Sequence, residues 1–161
     1  MEDVLVQGFV CEEKGGLEYH PMLRTMFLKV GARLIKLEST EQYSVLEISE
    51  VQAVTPSFEV DPDTKFCFSS VCELLLVDPM GDNRIECIET YGTRKAGEID
   101  RFDALGIRLH GGQYLFFDPT FIFGIKVGGA RQRENWLRNI INASLPWHVY
   151  RSDLPRDIEQ S

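Results

Sequence analysis

The sequence is poor in histidine, has no closely spaced cysteine pair and carries fewer basic than acidic side chains. Its 3 His and 4 Cys are not at metal-ligand spacing. Cys67 and Cys72 are five residues apart, which on one strand turns them to opposite faces, and no His pair lies in either segment. Asp61 and Asp63 resemble the opening of a calcium loop, but Pro62 and the missing later ligands break that pattern. No metal or other cofactor is therefore expected. The chain also lacks a Gly-x-Ser-x-Gly elbow and a cysteine in an electropositive setting. His20, His110 and His148 are each isolated, and a lone His carries no catalytic geometry. The expectation is a non-enzymatic protein with no catalytic residue. The opening Met-Glu-Asp-Val-Leu-Val has neither the basic nor the apolar region of a secretory signal, and no run reaches membrane-spanning length. With Cys11, Cys67, Cys72 and Cys87 read as buried free thiols, a cytoplasmic location is expected. Finally, 17 Lys and Arg stand against 25 Asp and Glu, a net charge of −8. That balance excludes a general affinity for nucleic acid or anionic membrane.

What is present is enough apolar surface for one core. A length of 161 residues with 43% hydrophobic residues fits a single domain over 1–161, with 151–161 expected to fray because little there can be buried. The clearest stretch is Gly106 to Ile141. Ile107 and Leu109 alternate with Arg108 and His110, Gly111-Gly112 offers a turn, and Tyr114 to Phe117 continues to Asp118-Pro119. A third run, Phe121 to Val127, ends at Gly128-Gly129. After it Trp136, Leu137, Ile140 and Ile141 recur at helical spacing, and Pro146 ends the helix. Earlier, Leu5 to Cys11 reads as a first strand, and Tyr19-His-Pro as an irregular entry to the next. Met26 to Val30 and Arg33 to Leu37 form two strands or one bulged strand about Gly31-Ala32. Tyr43 to Val54 reads as a strand in preference to a helix, and Phe66 to Val77 as a strand returning through Asp78 to Asn83 into Arg84 to Tyr91. The predicted fold is α+β: a mostly antiparallel sheet of about seven or eight strands, curled or barrel-like, packed by one C-terminal helix.

Charge is unevenly spread. Residues 1–103 hold 20 Asp/Glu against 10 Lys/Arg, whereas residues 104–161 hold 5 against 7. From Glu38 to Thr64 no Lys or Arg interrupts the acids. A solvated surface is one reading of such a run. The other is a patch that meets a basic partner, formed by Glu38, Glu41, Glu47, Glu50, Glu59, Asp61 and Asp63 with Tyr43 and Phe58 as apolar anchors. A small acidic protein without catalytic grammar fits an inhibitor or immunity protein that neutralises a basic partner such as a nuclease-type toxin.

Gly128-Gly129 before the helix, with Lys126, Arg131 and Arg133 near it, supplies free amides and positive charge where an anion could bind. In its order of strands and then a C-terminal helix bearing Trp136, the chain loosely resembles a pleckstrin-homology barrel. That architectural resemblance implies the alternative function, binding of a phosphorylated lipid head group or peptide at these residues.

Overall fold

The alternation at Ala104–Leu109 sets out the architecture. Leu105, Ile107 and Leu109 are buried in one apolar cluster, while Ala104 belongs to a second cluster on the opposite face. A strand with both faces covered needs layers on both sides. The computed structural model describes residues 1–13, 15–42, 44–56, 58–59, 64–92, 100–143 and 148–153. Among them are eleven strands: β1 (Asp3–Glu13), β2 (Gly16–Val30), β3 (Arg33–Thr40), β4 (Val45–Val51), β5 (Lys65–Ser70), β6 (Ile85–Tyr91), β7 (Asp100–Phe102), β8 (Ala104–Leu109), β9 (Tyr114–Phe121), β10 (Gly124–Gly128) and β11 (Val149–Asp153). One helical turn, α1 (Cys72–Leu75), a 3-10 turn at His110–Gly112 and one longer helix, α2 (Ala130–Asn142), complete the elements among the described residues.

The strands form two sheets, ordered β5-β1-β2-β3-β4-β7 and β10-β9-β8-β6-β11. Every pairing among the described residues is antiparallel. The main core takes Val4, Val6, Met26, Leu28, Leu37 and Leu46 from the first sheet and Leu105, Ile107, Leu109, Leu115, Phe117 and Ile125 from the second. Each fully buried side chain of this size contributes about 1.5–3 kcal/mol of apolar transfer. The second cluster unites Tyr91, Ala104 and Phe116 with Trp136 of α2, so the helix covers the other face of the second sheet. Ser39 Oγ donates to the Pro119 carbonyl at 3.1 Å, joining the sheets at one corner. Gly124 does the same by contact: φ is +124°, and a Cβ there would lie 2.3 Å from the Leu23 carbonyl carbon.

The hairpins and helix expected over Gly106 to Ile141 are present as β8, β9, β10 and α2, and Tyr43 to Val54 contains a strand. Gly31-Ala32 separates two strands. Two expectations are corrected. The sheet is not single, barrel-like and of seven or eight strands; there are two sheets, and neither closes on itself. Phe66 to Val77 does not form a hairpin with Arg84 to Tyr91: β5 pairs with β1 in the first sheet, Cys72–Leu75 turns as helix, and β6 joins the second sheet. Cys72 therefore does not share a strand with Cys67. Arg151 to Asp153, assigned to a fraying tail, pair with Cys87 to Glu89; 154–161 and Pro146 lie outside the described residues. Tyr19-His-Pro runs within β2, where a register shift opposite, between Val6 and Gly8, accommodates proline.

Candidate functional site

Strand register separates the acidic stretch. Glu38 and Glu47 are direct cross-strand neighbours on β3 and β4, an arrangement that repels unless cations intervene. They do intervene: Lys36 Nζ lies 2.6 Å from Glu38, and Arg101 of β7 lies 2.7 Å from Glu47 and 3.2 Å from Glu41. Glu50 meets Arg33 at 3.2 Å. Phe58 sits toward the opposite edge of the same sheet, its ring 6.3 Å from Phe9 and 6.0 Å from Phe66, with Glu59 exposed beside it. Tyr43, Asp61 and Asp63 lie outside the described residues. A stretch continuous in sequence is thus divided in space, and four of its carboxylates share three cations.

The residues nominated for an anion also part company. Lys126 lies over the Phe121 ring at 5.9 Å, and Arg131 is exposed. Gly129 caps α2 and accepts from the Gln132 amide at 3.0 Å. Arg133 instead turns onto the second sheet, donating from Nε to the Tyr91 hydroxyl. Of the three cations nominated there, a phosphorylated ligand at this helix end would keep Lys126 and Arg131.

Arg133 belongs to a polar cluster built by β6, β8, β9 and α2 around the buried Glu89 and Tyr91. The Tyr91 and Tyr114 hydroxyls donate to Glu89 Oε2 at 2.8 and 2.6 Å. Arg133 Nε and an Arg108 guanidinium nitrogen each lie 3.8 Å from a Glu89 oxygen. Burial pushes the Glu89 carboxyl up, but the tyrosine hydrogen bonds and the two guanidiniums outweigh it and hold the group below the ordinary range. Burial pushes the hydroxyls of Tyr91 and Tyr114 up, so both remain protonated donors. The space for Tyr114 exists because residue 106 is glycine: a Cβ there would sit 2.0 Å from the Tyr114 hydroxyl. Gly106→Ala is expected to destabilise by about 2 kcal/mol by evicting that donor. In a Tyr114→Phe background, urea denaturation should register a smaller penalty; an undiminished one would place the clash elsewhere.

The most exposed apolar side chains lie around α1. Leu74, Val77 and Met80 are 84, 88 and 94% exposed, yet the backbone presenting them is tied down. Gln113 Oε1 accepts from the Val77 amide at 3.0 Å and Gln113 Nε2 donates to the Leu75 carbonyl at 2.6 Å. Asp78 caps the Met80 amide at 3.2 Å, and Asn83 Nδ2 donates to the Asp78 carbonyl at 2.9 Å. Cys72 and Leu76 anchor the turn in the core. At its foot a hollow of about 250 Å³ is lined by Leu74, Leu75, Gln113, Tyr114, Leu115, Val127, Gly128 and Gly129. Glu73 and Asp78 are exposed on the same segment and make no ion pair among the described residues. Sequence reading missed this ridge by taking 66–77 as one strand. The signal was the four-residue spacing of Cys72 and Leu76, which is helical.

Met80 also borders an open groove of about 1340 Å³ that includes Asp82, Glu86, Arg108 and His110. His110 Nδ1 lies 2.9 Å from Glu86 and Nε2 lies 3.9 Å from Asp82, so both ring nitrogens are turned to carboxylates. Among the described residues no group of three or more His, Cys, Asp or Glu is placed to hold a metal ion, and no helix is long and apolar enough to cross a membrane. No family model, curated protein or solved structure matches the chain.

Proposed function

We propose that the protein is a non-enzymatic binding module that engages a basic protein partner through the apolar ridge of Leu74, Val77 and Met80. The observation carrying this reading is that three large apolar side chains are held in water by a hydrogen-bonded frame. Such a surface gives apolar contact without the entropic cost of ordering a loop. The hollow beneath suits an apolar side chain from the partner, as buried anchors at interface centres require. Basic character follows from Glu73 and Asp78 on the ridge and from the net charge of −8, which steers a cationic protein toward the surface. Neutralisation of the partner, as an inhibitor or immunity protein achieves it, is the form of this function that the charge favours.

The test compares the full chain with Leu74→Ser/Val77→Ser/Met80→Ser as bait in native extract, over a salt series. The triple variant should keep its thermal stability, because all three side chains are exposed. It should release a basic protein that the parent retains, with affinity reduced at least about tenfold, as loss of interface anchors implies. Equal retention by both baits would overturn the ridge. Release by Glu38→Lys/Glu47→Lys alone would move the interface to the β3–β4 face.

A further inference from the structure

Cys11 and His20 meet across the β1–β2 hairpin. Phe9 is the cross-strand partner of His20, and Glu18 is that of Cys11, so thiol and imidazole stand one diagonal step apart on the same face. Cys11 Sγ lies 3.2 Å from His20 Nε2. The imidazole is oriented by stacking on Phe9, with centroids 4.9 Å apart and planes 14° apart. Phe9 is itself packed against Phe58. Both Cys11 and His20 are half-buried, which keeps them in reach of a small solute. We infer that Cys11 is a thiol–disulfide exchange site, activated by His20, that takes a low-molecular-weight disulfide and becomes a mixed disulfide.

A thiol is a weak nucleophile until its proton is removed, and a hydrogen-bonded imidazole supplies the acceptor. The Cys11 proton passes to His20 Nε2. The thiolate attacks one sulfur of the disulfide, forming the Cys11 sulfur–sulfur bond as the reagent's own breaks. The departing thiolate carries away the electron pair and takes the proton from the imidazolium. Cys11 is oxidised, the released thiol is reduced, and excess thiol reverses the step. Glu18, the cross-strand partner of Cys11, is exposed.

Cys72 and Cys87 are buried, and burial pushes the thiols of Cys67, Cys72 and Cys87 up. They serve as internal controls in a time course of the full chain with glutathione disulfide at neutral pH, read by intact mass and peptide mapping. Cys11 should be modified first, about tenfold or more faster than Cys67, Cys72 or Cys87, and His20→Gln should slow Cys11 by about tenfold. The three slow thiols should stay slow in that variant, which reports that the fold is kept. Cys11→Ser, which preserves the His20–Phe9 stack, should abolish the fast adduct. Modification of Cys11 no faster than Cys67, an unchanged rate in folded His20→Gln, or a fast adduct surviving in Cys11→Ser would each overturn the inference.

Discussion

Trp136→Ala should destabilise the protein by about 4 kcal/mol, whereas Trp136→Phe should cost no more than about 1.5 kcal/mol. Trp136 is the fully buried side chain of α2, 2% exposed, and its ring lies 5.4 Å from Tyr91 and 5.7 Å from Phe116. Alanine there removes the buried aromatic contact between the helix and the second sheet. It leaves a void between rigid strands and a helix that has only Leu137 and Ile140, both partly buried, to replace it. Phenylalanine retains an aromatic edge. It also removes the indole Nε1, which is buried and finds no hydrogen-bond partner among the described residues, and so relieves an unpaired donor. Denaturant titration of the two variants gives the comparison. Equal losses would mean that the aromatic contacts do not account for the attachment of α2.

Glu89→Ala should cost about 3 kcal/mol, the range for removing one partner of a buried charged cluster. The loss is large because the carboxylate is the common acceptor for Tyr91 and Tyr114. Without it both hydroxyls lose their carboxylate acceptor and the Arg133 and Arg108 guanidiniums lose their nearest negative charge together. The same cluster sets an acid dependence. The Glu89 carboxyl is held below its ordinary value in the folded protein: burial opposes ionisation, but Tyr114, Tyr91, Arg133 and Arg108 prevail. A carboxyl lowered on folding gives stability that is fully present above the unfolded glutamate pKa of about 4.3. It is lost as pH falls through the folded value. Glu89→Gln, which cannot ionise, should therefore be less stable than the parent at pH 7 and approach it near pH 3. A gap that stays constant between those pH values would sever the cluster from the pH dependence.

The local period was legible wherever neighbours in sequence are also neighbours in space. Ile107 and Leu109, the glycine turns and the spacing of Trp136 to Ile140 declared β8, β9, β10 and α2 because hairpins and helices are local. The edge strands β7 and β11 were not legible. Asp100–Phe102 is three residues long and Val149–Asp153 is exposed throughout, so neither carries an alternating apolar signal. The cations beside the Glu38 to Asp63 stretch were hidden for a related reason. No Lys or Arg lies between its acids along the chain, and Arg101 reaches Glu47 only through the β4–β7 register. Arg133 resembled a free cation because its partners, Glu89 and Tyr91, lie over forty residues earlier. The Cys11–His20 pair needed the diagonal of a hairpin to become visible.

The place of β6 between β8 and β11 has a consequence for biosynthesis. The β1–β4 meander closes through short connections as it emerges, with little entropy lost to loop closure. One edge of β6, by contrast, has to wait for Val149–Asp153, which is made only after both later hairpins and α2. A nascent chain halted before residue 149 would carry that hydrogen-bonding edge unpaired, an adhesive surface for other chains on the same message.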